Sequence, residues 1–162
     1  KLKQSEVDWE KGTVTRHRTK TAKKKQKNKN NSRIPVVTYK LWDETFDLLK
    51  THRSDHPEVV LLNQRGGLLR ISGIGEDEKI DNNNNILLAF NRLRRSLEIG
   101  KPFKTLRATG ASKLEEHELY GRYAQYYLAD APRSITEKHY AQPNNEQFFA
   151  ATKWLGAQFD LQ

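Results

Sequence analysis

The chain is 162 residues long, a length that suits one domain burying roughly two-thirds of its unfolded surface around one core. It has no Cys, which excludes disulfides, thiolate zinc sites, iron–sulfur ligation and a Cys nucleophile together, and is consistent with a reducing compartment. The formal net charge is +9, yet nine of the 29 Lys and Arg fall between Arg16 and Arg33 with no acid among them, leaving 20 bases against 20 acids elsewhere. No apolar run approaches the roughly 18 residues of a membrane span, and no secretory leader opens the chain. A soluble, cytoplasmic domain is expected, cut from a longer protein because Lys1 starts in mid-pattern ahead of an Asp8-Trp9 turn.

In chain order, Val14 and the alternation Arg16, Arg18, Lys20 predict a strand, and Arg33-Ile34-Pro35-Val36-Val37 predicts its return. The polar Lys/Asn tract Ala22 to Ser32 lies between them, so the pair reads as a hairpin with a long basic tip. Leu41, Thr45, Leu48 and Leu49 keep helical spacing from about Lys40 to His52, with Pro57 as a stop. Val59-Val60-Leu61-Leu62 predicts a short apolar strand or buried segment ending at a Gly66-Gly67 turn. Ile71 to Asn85, with its glycines, acids and four consecutive asparagines, is expected to be a mobile loop. Ile86, Phe90, Leu93 and Leu97 mark one face of a helix that Gly100 and Pro102 end. A second helix is expected from near Lys104 to about His117, followed by a segment from Tyr120 to Ala129. Ser134-Ile135-Thr136-Glu137 is a capping box that opens a short helix carrying Tyr140 before Pro143. The last helix spans Asn145 to Phe159, with Phe148, Ala151, Leu155 and Phe159 as its seam. The fold class is α+β, mainly helical, with a small antiparallel sheet near the N-terminus and no internal repeat.

Several residue sets carry chemistry. The basic run 16 to 33 fits either a solvated lysine loop or a loop that grips phosphates and releases their counterions. Lys104 and Arg107, three apart near a helix start, share a face where the helix dipole adds positive charge. Either solvent screens the two cations or an anion sits between them, and a guanidinium can grip two oxygens of a phosphate while an ammonium supplies a point charge. Gly73-Ile74-Gly75 is followed by Glu76, Asp77 and Glu78, which would repel phosphate, so a turn is expected there. His52 and His56 have metal-ligand spacing but no third ligand, and surface histidines are expected. Trp42 and Trp154 read as core or rim residues of amphipathic helices.

Four segments occur in the order and spacing of one family: Trp9 to Lys20 (WEKGTVTRHRTK), the return strand Arg33-Ile34-Pro35, Lys104-Thr-Leu-Arg107 with Thr109-Gly-Ala, and Leu128-Ala-Asp-Ala-Pro through His139-Tyr140. Over nearly its whole length the chain resembles the catalytic domain of the tyrosine recombinases, the phage-integrase family of site-specific DNA strand-exchange enzymes. The resemblance implies a tyrosine-recombinase-like catalytic domain over 1–162, with the family's early arginine and its DNA-clamping domain lying before Lys1. By position, Tyr140 matches the nucleophile, Arg107 the arginine of the second box, Lys104 the first member of that box, and Lys20 the hairpin lysine. The sequence departs from the family at Asp130, where the box usually has His, and at Ala129, which replaces Gly.

What the resemblance implies chemically is cleavage and rejoining of DNA strands through a 3′-phosphotyrosyl intermediate. A phenol with a free pKa near 10 needs nearby cations to favour the phenolate and to stabilise the pentacoordinate transition state. Arg107 and Lys104 suit that work, and Lys20 suits protonation of the leaving 5′ oxygen. No cofactor, metal or nucleotide is called for. The partner expected is double-stranded DNA, contacted by Arg16, Arg18, Lys23, Lys24, Lys25 and Arg133, with self-association as a tetramer on DNA, no membrane, and a bacterial, nucleoid-associated setting typical of mobile elements. Asp130 cannot donate the hydrogen bond that an imidazole can, and pairing of Asp130 with Arg107 or Lys104 would weaken their grip on phosphate. Two other readings stay open: a catalytically impaired DNA-binding or assembly remnant of the same fold, and a lysine-rich scaffold that binds acidic partners through residues 16 to 33.

Overall fold

A computed structural model of the chain describes residues 1–17, 36–74, 80–130 and 144–161. In chain order it contains strands β1 (Val7–Asp8), β2 (Thr13–His17) and β3 (Val36–Lys40), helix α1 (Asp43–Thr51), strands β4 (Arg70–Ile74) and β5 (Ile80–Asn84), and helices α2 (Asn85–Ser96), α3 (Lys104–Glu115), α4 (Ala124–Tyr127) and α5 (Asn145–Ala157). Short 3-10 turns cover Gln4–Glu6 and Gly121–Tyr123. The chain is thus mixed helix and sheet, with a small antiparallel sheet near its N-terminus. Among the described residues no helix is long and apolar enough to cross a membrane. The fold divides into two compact units, a smaller one of Lys1–Ser5 with Asp47–Leu106 and a larger one of Glu6–Phe46 with Arg107–Gln162.

The larger unit is built on the antiparallel sheet β1-β2-β3, in which Val7 pairs with Val14 and Val14 with Tyr39. Between β1 and β2 the Asp8 carboxylate accepts the N–H groups of Glu10 and Lys11 at 3.1 and 2.9 Å, and Gly12 takes a φ of 61° that closes the turn. These bonds to the charged form, led by that from Lys11, hold the Asp8 carboxyl below its usual range. The return strand runs three residues further than expected, through Lys40, because Lys40 still pairs with Thr13 and the Leu41 N–H reaches the Gly12 carbonyl at 3.0 Å. Helix α1 therefore begins at Asp43, where Asp43 and Glu44 complement the positive end of the helix. Val37, Leu114, Tyr123, Ala124, Ala129, Phe148, Ala151 and Leu155 form the core of this unit, so β3, α3, α4 and α5 close on one another. Phe148, Ala151 and Leu155 are the buried seam expected of the last helix. Phe159 is not part of it: α5 ends at Ala157 and Phe159 is 43% exposed beyond the helix. The stretch from Tyr120 to Ala129 divides into the 3-10 turn and α4.

In the smaller unit, Val59 and Val60 are buried and the 59–62 segment makes isolated bridges, Lys3 with Val59 and Leu62 with Leu68. The Gln4 side-chain amide donates to the Ser54 carbonyl at 3.0 Å, and Asn63 closes the Gly66-Gly67 turn by accepting the N–H groups of Arg65 and Gly67, both at 2.9 Å. The expected loop from Ile71 to Asn85 is instead the antiparallel hairpin β4-β5, in register from Arg70 opposite Asn84 to Ile74 opposite Ile80. Backbone N–H and C=O groups pair whatever side chains they carry, so a run of Asn can serve as a strand when a partner strand lies beside it. Gly73 and Ile74 consequently lie in β4 rather than in a turn. The last strand residue, Asn84, also caps α2, its side-chain oxygen accepting the Leu87 N–H at 3.1 Å.

Candidate active site

Two of the residues that the sequence singles out, Arg107 and Asp130, meet at the C-terminal end of α4. Helix α3 presents Gly110, Ala111 and Leu114 as its buried face. Gly110 lets Tyr127 lie directly on the helix, since a β-carbon there would stand 2.6 Å from the phenol oxygen and 3.0 Å from Cζ. Helix α4 then ends in a Schellman turn: the Asp130 N–H reaches the Gln125 carbonyl at 3.1 Å and the Ala129 N–H reaches the Tyr126 carbonyl at 2.8 Å. The turn needs a left-handed residue at position 129, and Ala129 takes it with a φ of 47°. Glycine enters this conformation without strain, whereas Ala129 takes it while burying its methyl.

The turn leaves the carbonyls of Tyr127 and Leu128 without helical partners, as at any helix end. Two side chains from elsewhere take them. The Tyr39 hydroxyl donates to the Tyr127 carbonyl at 2.9 Å, and Arg107 Nη2 donates to the Leu128 carbonyl. The same Nη2 lies 3.9 Å from Asp130 Oδ1, with the arginine side chain 48% and the aspartate 32% exposed. Arg107 and Asp130, 23 positions apart in sequence, are thus brought together at the edge of the larger unit. Beside them opens a cleft of about 300 Å³ lined by Tyr39, Lys40, Leu41, Trp42, Thr45, Arg107, Tyr127 and Thr152. Trp42 forms part of its wall, its indole N–H donating to the Thr152 carbonyl at 2.8 Å.

Two phenols stand in this cleft, and neither is suited to attack. Burial pushes the Tyr39 hydroxyl up to about 12, a shift that the nearby Arg107 opposes but does not cancel. Burial likewise raises Tyr127, again against Arg107, and raises Tyr126. At neutral pH both cleft phenols are protonated, and Tyr39 donates to the Tyr127 carbonyl. An anion arriving at Arg107 therefore meets a guanidinium flanked by the Asp130 carboxylate, beside two neutral phenols and Lys40 in the cleft lining.

The remaining expected site residues stand as follows. Lys104 is the first residue of α3 and is grouped with the smaller unit, whereas Arg107 is grouped with the larger. Arg16 lies on β2 with Nε 3.6 Å from Glu6 Oε1. Tyr140, Lys20, Arg18, Lys23, Lys24, Lys25 and Arg133 lie outside the described residues, as does the capped helix expected to carry Tyr140. His56 has a local role: its Nδ1 accepts the N–H groups of Glu58 and Val59 at 3.0 and 3.3 Å. Among the described residues no cluster of three or more His, Asp or Glu could hold a metal ion. Sequence reasoning missed Tyr39, Tyr127 and the Leu128 carbonyl as neighbours of Arg107. The one available signal was Gly110 within Thr109-Gly-Ala, because a glycine inside a helix marks a close approach. Compared with models of known families, with characterised proteins and with solved structures, the chain matches none.

Proposed function

We propose that this chain is the catalytic domain of a DNA strand-exchange enzyme of the tyrosine-recombinase kind, acting on double-stranded DNA. One observation carries the reading: Arg107 of the Lys-Thr-Leu-Arg segment contacts the Leu128-Ala129-Asp130 turn, so two of the boxes that carry the resemblance converge as a shared phosphate site requires. In this reading the Tyr140 hydroxyl gives its proton to solvent as its oxygen attacks the phosphorus of a DNA phosphodiester, forming a 3′-phosphotyrosyl bond while the bond to the 5′ oxygen breaks. Lys20 gives that oxygen its proton. Arg107 and Lys104 stabilise the added negative charge of the pentacoordinate transition state. Attack by a 5′-hydroxyl on the phosphotyrosine, with the proton returned to Lys20, rejoins the strand and expels the Tyr140 oxygen, which takes a proton back from solvent. The basic run 16 to 33 supplies affinity for the DNA backbone, and several protomers act together on DNA.

The test is covalent capture. Nicked duplexes that lose their 5′-hydroxyl product after cleavage trap the intermediate, and the protein is expected to form a denaturant-resistant adduct that Tyr140→Phe abolishes. A second reading, a DNA-binding remnant of the same fold that no longer cuts, is favoured by the approach of Asp130 to Arg107, because a carboxylate there opposes phosphate. Adduct-free binding that still depends on Arg107 decides for the remnant.

A further inference from the structure

The Asp130 carboxylate stands beside Arg107. Its backbone N–H is held by the Schellman turn next to the buried Ala129, and its side chain has only two rotatable bonds. The guanidinium is fixed too, through the Leu128 carbonyl. A phosphate that reaches Arg107 must therefore share it with a carboxylate already there. Resting on the reading of Arg107 as a phosphate-gripping group, we infer that Asp130 is an internal counter-ion that removes most of this site's preference for dianionic phosphate monoesters over monoanionic phosphodiesters.

The reasoning is electrostatic. A bare guanidinium attracts a dianion more strongly than a monoanion and would favour a terminal phosphate, such as a broken DNA end, over an intact linkage. A fixed negative charge about 5 Å from the bound phosphorus repels the dianion about twice as strongly as the monoanion. Because both side chains are partly exposed, solvent screens this repulsion to roughly a tenfold effect for the monoanion and the square of that for the dianion. Arg107 alone would select charge. Paired with Asp130, it discriminates far less, so an intact linkage is not outcompeted by a terminal phosphate, at the cost of weaker binding overall. A neutral hydrogen-bond-donating side chain at position 130 would leave the preference for the dianion in place.

The experiment follows the side-chain Nε–H resonance of Arg107 by NMR in the whole chain at pH 7.5, with dimethyl phosphate and methyl phosphate as probes. The wild type is expected to bind the two probes with comparable affinity. Asp130→Asn should bind both probes more tightly, dimethyl phosphate by roughly tenfold and methyl phosphate by clearly more, so that a preference for methyl phosphate emerges. Asp130→Ser should move in the same direction, and Asp130→Glu should keep the wild-type ratio. An unchanged ratio between the probes in Asp130→Asn and Asp130→Ser overturns the inference while leaving Arg107 as a phosphate ligand. If neither probe moves the Arg107 resonance in any variant, the phosphate reading of Arg107 falls and takes this inference with it.

Discussion

Gly110 supports the site by what it lacks. Any β-carbon there would press into the ring of Tyr127, and the ring cannot bend away as a flexible chain would, since Cζ and Cε1 would also be at 3.0 and 3.1 Å. Tyr127 in turn leads directly into Leu128, whose carbonyl Arg107 holds. Gly110→Ala should therefore destabilise the larger unit by about 1–3 kcal/mol, the usual range for overpacking, although alanine is the better helix former. Urea denaturation measures this, and an unchanged midpoint would show that the phenol simply slides aside. Ala129 illustrates the opposite bargain, a residue with a β-carbon in a left-handed conformation, held there by two turn hydrogen bonds and by burial of its methyl in the core.

At the scale of elements, α5 is secured by the segment that precedes α1. The Trp42 indole lies against Gly156, where an added β-carbon would stand 2.7 Å from Cδ1 and 3.0 Å from Cε2, and it donates to the Thr152 carbonyl one turn earlier. Gln147 on the same helix accepts from Tyr123 and Arg122 at 2.7 and 3.0 Å. Gly156→Ala should push the indole out, break its hydrogen bond and lower stability by about 2 kcal/mol. A red shift in tryptophan emission together with a lower Tm is the expected signature, and a native emission spectrum would contradict it. Helices α2 and α5 were readable from apolar spacing, and the end of α2 from Gly100 and Pro102. The hairpin β4-β5 was not, because its strands carry Gly, Ser, Asp and Asn, and its pairing depends on a neighbour rather than on side-chain preference. The strand end at Lys40 was missed for a related reason: a ladder bond to Thr13 outweighs helical spacing that begins at Leu41.

For the molecule as a whole, the buried phenols make stability depend on alkaline pH. Tyr39 is raised from 10 to about 12 in the folded state, so folding favours its protonated form. The resulting stability is fully present below the unfolded value near 10 and is lost as pH rises through 12. The loss is on the order of 2 kcal/mol. Urea midpoints measured between pH 9 and 12 should fall more steeply for the wild type than for Tyr39→Phe. That variant loses the bond to the Tyr127 carbonyl at every pH but has no phenol there to ionise. Parallel curves would show that another group governs the alkaline transition.

Composition, charge distribution and apolar spacing are local properties, and they sufficed to predict the mixed fold class, the early antiparallel strands, the main helices and the candidate segments. Lys104-Thr-Leu-Arg107 and Leu128-Ala-Asp130 could be singled out because residue type and order are written in the chain. That Arg107 reaches the 128–130 turn, that Asp130 shares its guanidinium, and that the Tyr39 and Tyr127 phenols are buried beside it with raised pKa values were decided by tertiary structure alone. These facts depend on which backbone carbonyls a helix end leaves open and on how deeply a phenol is buried. Neither exists until residues far apart in sequence are packed together.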